Sequence, residues 1–247
     1  MLKIEILKVL KRKLNYIYFV FLLLVSGLSA YKYQSIINCL EVDFETYLYN
    51  YVLKVLLILV AFILGLNIIF SYREDYKTKV NNIIYNSKVT NFSNIFSKLL
   101  VNFINFTLYY FLILAINLAY FHYIKIFDLI SFLKNVNYLY SLGLACAILL
   151  FVANFVLFIL SMFNNTNLAV AISLLFFAGS KYVVAYLVSF NNIFKYLKYT
   201  FTDIHNIAIA QIFLEQKNTL LLTIITLIIN SLILFLLSLI LKWLKQK

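Results

Sequence analysis

The chain has 247 residues, of which 64% are hydrophobic and 12% charged, with a mean hydropathy of +0.95. A water-soluble domain carries about a quarter of its residues as charges, so this composition excludes one and points to a chain dissolved in lipid. The net charge of +12 raises the question of nucleic acid, but the cations are divided among segments that flank apolar runs and form no single basic face, which argues against nucleic-acid binding.

Residues 1–14 open the chain with Ile6, Leu7, Leu10 and Leu14 at helical spacing and Lys3, Lys8, Lys11, Arg12 and Lys13 between them. That pattern suits an amphipathic helix in a lipid headgroup layer, and equally a basic flank that only sets topology. A hydrocarbon core of about 30 Å takes roughly 20 apolar residues as a helix. Runs of that kind are predicted at 15–33, 51–70, 99–123, 138–163, 168–190 and 219–241. Helices satisfy their own backbone groups in lipid, and the alternating ten-residue pattern of a membrane β-barrel is missing from the sequence. The expected fold is therefore all-α, a single polytopic domain of six transmembrane helices. The first run follows basic residues in the manner of a signal peptide, but Leu28 spoils the small-residue site before Ala30, so it is read as a retained span.

Between the second and third spans lies a polar island, 71–98. Tyr76, Val80, Ile83 and Ile84 fall at i, i+4, i+7 and i+8, opposite Glu74, Lys77 and Asn81. Such a stripe describes a surface helix able to dock a soluble partner, and a solvated loop with chance periodicity is the alternative. The segment 191–218 is longer than a turn, and Phe194, Leu197, Phe201, Ile204 and Ala208 recur at helical spacing. It is expected to form short extracellular helices that rest on the outer leaflet of the membrane.

With the N-terminus inside, the inner segments hold Lys3, Lys8, Lys11, Arg12, Lys13, Arg73, Lys77, Lys79, Lys88, Lys98, Lys242, Lys245 and Lys247, which is 13 of the 21 Lys and Arg. The positive-inside rule then puts both termini in the cytoplasm. Charge within the spans is sparse, which disfavours an ion-coupled carrier. Asn67, Asn102, Asn105, Asn154 and Asn230 are the polar residues that could line a pathway, although bonding between helices suits each of them as well. His122 and His205 have no second ligand at metal spacing, so no metal is expected. Cys39 and Cys146 fall too far apart by topology for a disulfide.

Six spans with both ends inside, Arg73-Glu74 after span two, Ser87 and Thr90 in a polar turn, Lys98 opening span three, and Glu5, Lys8 and Lys11-Arg12 before span one together resemble the permease subunit of a type-2 class ABC exporter. Lys77-Thr78 and Lys88-Val89 stand where members of that family often carry Gly-Thr and a proline. The resemblance implies that residues 1–14 are the elbow helix and that the island is a coupling helix. Arg73, Glu74, Tyr76, Lys77, Val80, Asn81 and Ile84 would then meet a cytosolic ATPase, and Phe194, Leu197, Phe201 and Ile204 would form the extracellular cap. It also implies a second permease copy or related permease, and the plasma membrane of a bacterium. The sequence has no Gly-x-x-x-x-Gly-Lys-Ser/Thr loop, so ATP and Mg would belong to the partner and this chain would be a transport subunit rather than an enzyme. The cargo that this implies is an amphipathic peptide, such as a bacteriocin or cytolytic peptide. Drugs, lipids and cell-wall polymers remain open within the same family, as does a scaffold or sensor without transport. A membrane enzyme fits poorly, since no His-Glu-x-x-His occurs.

Overall fold

The helix boundaries follow from side chains that cap them, in a chain with no proline to stop a helix. The computed structural model describes residues 2–77, 91–163, 165–212 and 217–245. These residues are helical almost throughout and contain no strand. α1 (Leu2–Lys11) is followed by α2 (Lys13–Tyr31), α3 (Tyr33–Leu40) and α4 (Phe44–Tyr47), then a π-helical stretch (Leu48–Leu53) that leads into α5 (Lys54–Lys77). Next come α6 (Asn91–Tyr123), α7 (Leu129–Lys134), α8 (Val136–Met162) and α9 (Thr166–Phe190). A 3-10 helix (Asn192–Tyr199), α10 (Ile204–Gln211) and α11 (Lys217–Leu244) complete the order. Asp43, Asp128, Asn135, Asn165 and Asn191 each accept a backbone N–H of the turn that follows, at 2.9–3.1 Å in each case. Short Asp and Asn side chains do this because they satisfy N–H groups that the first turn leaves unpaired.

Six helices among the described residues are long and apolar enough to cross a membrane: Lys13–Tyr31, Phe44–Glu74, Phe92–Tyr123, Val136–Met162, Thr166–Phe190 and Asn218–Leu244. The second and third are longer than the apolar runs predicted at 51–70 and 99–123. Asp43 starts the second helix early, and Arg73, Glu74 and Lys98 fail to end helices because each lies in a helical stretch. The described parts of the polar island, Ser71–Lys77 and Asn91–Lys98, are thus continuations of α5 and α6.

α8 is the axis of the bundle. It is apolar on every face, 72% of its central window is buried, and it packs against α5, α6, α9, α10 and α11. Gly65 of α5 lets two helices approach closely, since a Cβ there would sit 3.3 Å from Val156 Cγ2 of α8. Small residues serve this purpose in lipid, where helices associate by van der Waals fit rather than by expelling water. α2, α9 and α11 are peripheral, with only 22% of each window buried and apolar side chains such as Ile17, Leu175 and Leu232 facing outward. Side-chain hydrogen bonds fasten the periphery to the centre: Asn117 of α6 donates to Ser26 of α2 (2.6 Å), and Tyr47 donates to the Ser29 carbonyl (2.6 Å).

α1 meets α2 at a bend. Arg12 is extended (φ −76°, ψ 107°), and the carbonyls freed at the end of α1 are taken up by α2, with Asn15 Nδ2 donating to Val9 O and Tyr16 OH to Leu10 O, both at 2.8 Å. α1 packs along α6.

Candidate functional site

Three helix faces carry polar side chains one above another. Glu5, Lys8 and Arg12 recur at i, i+3 and i+7 on and just beyond α1. Asn67, Ser71 and Glu74 recur at i, i+4 and i+7 on α5, and Lys98, Asn102 and Asn105 repeat that spacing on α6. Residues so spaced share one side of a helix. Most of the three rows meet at the end of the bundle where α5 and α6 reach the undescribed segment 78–90.

The centre of the meeting is an ion pair out of solvent. Lys98 Nζ stands 3.3 Å from Glu5 Oε1, and both side chains are 1% exposed. Lys8, 29% exposed, reaches the same Glu5 oxygen at 3.1 Å. Glu5 therefore lies between an inner and an outer cation. The Ser71 hydroxyl is 3.5 Å from Lys98 Nζ, and the ammonium lies 5.1 Å from the centre of the Tyr72 ring. Lys242, from the far end of α11, approaches the same ring at 4.5 Å and donates to the Tyr72 hydroxyl at 3.3 Å. Tyr72 is thus held between cations from α6 and α11, a geometry favoured by the negative face of the ring.

A second strand of the network begins at Arg12. Its guanidinium binds Glu74 and donates to Asn67 Oδ1 at 3.4 Å. Asn67 Nδ2 donates to Asn102 Oδ1 at 2.7 Å, and Asn102 Nδ2 closes onto the Lys98 carbonyl at 2.7 Å. Both asparagines are fully buried. A buried amide left unbonded costs on the order of 1–3 kcal/mol, so these two hold one another in register. Taken together, α1, α5, α6 and α11 are joined through charge and hydrogen bonds at one end of the bundle. The arrangement forms a frame where α5 and α6 reach residues 78–90. Removing Glu5 would take the shared anion from both Lys98 and Lys8 in a low-dielectric setting.

The chain matches no family model, no curated protein and no solved structure.

Of the residues singled out in the sequence for docking, Arg73 and Glu74 lie on the last turns of α5, and Glu74 is in the frame through Arg12. Tyr76 and Lys77 lie in the same helix, but their side chains are outside the described residues. Val80, Asn81 and Ile84 fall outside the described residues altogether. The pathway candidates separate. Asn67 and Asn102 belong to the frame. Asn105 faces an apolar groove of about 290 Å³ between α1 and α6, lined by Leu2, Ile6, Val9 and Leu108. Asn154 donates to the Leu150 carbonyl of its own helix at 3.0 Å. Asn230 reaches the Tyr199 carbonyl at 3.2 Å and so ties α11 to the 3-10 helix. The cap candidates are likewise divided: Phe194 and Leu197 are half-buried on the 3-10 helix, Phe201 is exposed in the turn, and Ile204 is buried at the start of α10.

Ser71, Tyr72 and Lys242 were not singled out for a site in the sequence reading. The signal that could have found Ser71 is its place between Asn67 and Glu74 in one polar row. Tyr72 and Lys242 meet across 170 residues and leave no such trace. Among the described residues no three His, Cys, Asp or Glu side chains converge on a metal position. His205 instead stacks against Phe151 and Phe176 and meets Phe177 edge-on, with ring centroids 5.2–5.8 Å apart. Burial against these rings pushes its pKa down to about 4, with the Ser180 hydroxyl 3.5 Å from Nε2. The imidazole is therefore neutral at pH 7.

Proposed function

We propose that this chain is the membrane-spanning subunit of an ATP-driven exporter, with both termini and the 71–98 region in the cytoplasm of a bacterium and α1 as an elbow helix at the inner surface. The observation that carries the reading is the frame of Glu5, Lys98, Arg12, Glu74, Asn67 and Asn102. It couples α1, α5 and α6 directly at the two roots of the segment expected to dock an ATPase, and Lys242 adds α11 through Tyr72. A push on that segment would be delivered to four helices at once, because an ion pair and amide bonds out of water resist sliding far more than apolar contacts do. A second copy or related permease would cover the apolar outer faces of the peripheral helices. The cargo is an amphipathic or hydrophobic molecule, a bacteriocin-like peptide in the first instance, with drugs, lipids and cell-wall polymers as the alternatives.

Purification of the chain from its native host in mild detergent tests this reading. An ATPase chain should accompany it, and repeated recovery without one would refute it. In vesicles holding both chains, Glu74→Arg should uncouple ATP hydrolysis from export, and adding Arg12→Glu should restore part of the coupling. A host deleted for the chain should gain sensitivity to the exported peptide.

A further inference from the structure

At the end of the bundle opposite the charged frame, α9, the 3-10 helix and α10 enclose a cleft of about 400 Å³. Its size falls within the roughly 300–1,000 Å³ typical of small-molecule sites. Lys181 of α9 and Lys198 of the 3-10 helix line it, as do Asp203 and Asn206, while Val184 and Val188 make up part of its apolar wall. Charges of both signs open onto one small space.

Neither lysine has a carboxylate partner among the described residues. Lys181 is nine residues before the end of α9 at Phe190, about 13 Å along the axis at 1.5 Å per residue. In a membrane span that depth lies below the helix end, and a cation there calls for an anion or a route to the headgroups. Asp203 is only 6% exposed. Its Oδ1 accepts from Asn206 Nδ2 at 2.8 Å, and that amide also reaches the Ser180 hydroxyl at 3.0 Å. The carboxylate is thus fixed in position, with no cation of the described residues in contact with it.

The surroundings mark the depth. Tyr182, Tyr186, Tyr196 and Tyr199 are each more than half exposed on the same two elements. Such exposed tyrosines collect where hydrocarbon meets headgroups.

We propose that this cleft binds the headgroup of a zwitterionic phospholipid with a primary amine, the phosphate on Lys181 and Lys198 and the ammonium on Asp203. A phosphate answers both lysines at once by charge-assisted hydrogen bonds, and a primary ammonium can donate to the fixed carboxylate. The acyl chains would leave along Val184 and Val188 toward the lipid. An anionic lipid would meet the lysines but oppose Asp203, and a choline headgroup has no N–H to donate. The inference rests on the membrane placement of α9 alone and holds whether or not the chain works with an ATPase.

The test is native mass spectrometry of the full chain in detergent, exposed to an equimolar mixture of phosphatidylethanolamine, phosphatidylglycerol and phosphatidylcholine. The wild type should retain one phosphatidylethanolamine several-fold over the other two. Asp203→Asn should abolish that preference, and Lys181→Gln with Lys198→Gln should lower all three adducts. The lysines are exposed, so the double variant keeps the fold and carries the test if Asp203→Asn melts early. Equal retention of the three lipids by the wild type, or an unchanged preference in both variants, would overturn the proposal. Displacement of the lipid by soluble phosphoethanolamine at matching concentration would also overturn it, by assigning the cleft to a water-borne zwitterion.

Discussion

Glu5→Gln should destabilise the protein more than Lys98→Met, although both remove the same ion pair. Glu5 is shared by Lys98 and Lys8. When Lys98 is replaced, the carboxylate keeps Lys8 at 3.1 Å, and that outer cation is partly solvated, so the remaining pair costs little to maintain. Replacing Glu5 takes the shared anion from both cations, one of them the Lys98 ammonium, whose side chain is 1% exposed beside the Ser71 hydroxyl and the Tyr72 ring. Taking the anion from a buried pair costs about 3–5 kcal/mol, whereas the Lys98 change, which leaves Glu5 a cation, should cost about 1–2 kcal/mol. The double variant removes both members of the buried pair and should lie near Lys98→Met, so the two changes couple by about 3–5 kcal/mol. At about 2–4 °C per kcal/mol for a chain of this length, Glu5→Gln should lower the midpoint of thermal inactivation by roughly 10 °C. The assay is the fraction of detergent-solubilised protein that stays monodisperse on size exclusion after heating. Equal losses from the two single variants, or a double variant equal to their sum, would refute the assignment of Glu5 as a shared anion.

Other positions offer independent checks. His205 should make the protein acid-sensitive: its pKa is near 4 in place and 6.5 when exposed, so the unfolded chain takes up its proton first and stability falls as pH drops from about 6.5 toward 4. About 2 kcal/mol should be lost between pH 7 and pH 5, and His205→Phe should flatten that slope in melts taken across the range. Gly65→Leu should cost about 1–3 kcal/mol by forcing α5 from α8, whereas Gly179→Ala, whose Cβ meets nothing within 4 Å, should not lower the melting temperature. Asn67→Leu should cost on the order of 1–2 kcal/mol by leaving Asn102 Oδ1 without its donor, with Asn67→Leu/Asn102→Leu recovering part of the loss in the same melt.

Much of the architecture is legible from residue order because the bilayer imposes a one-dimensional rule. An apolar run near 20 residues has few ways to satisfy its backbone in lipid, so the six spans follow from the positions of Tyr51–Phe70 or Tyr138–Phe163 without knowledge of their neighbours. Boundaries were less legible. Lys98 reads as the charged edge of a span, yet its charge is cancelled by a residue 93 positions away, and the helix runs through it from Asn91. The same applies to Asn67 and Asn102, which look alike as pathway or packing residues until their amides are seen to bond to each other.

Composition, hydropathy and charge placement by themselves determined a helical chain with six helices long and apolar enough to cross a membrane, and a polar segment between the second and third of them. Those properties depend on each segment's exchange with solvent, which sequence records locally. Only the tertiary structure decided that Glu5, Arg12, Glu74, Lys98 and Lys242 belong to one frame, and that Lys181, Lys198 and Asp203 open onto one cleft. The energy of a charge in a low-dielectric interior is set by what stands within a few ångströms of it. That distance is a property of packed helices, to which order along the chain gives no measure.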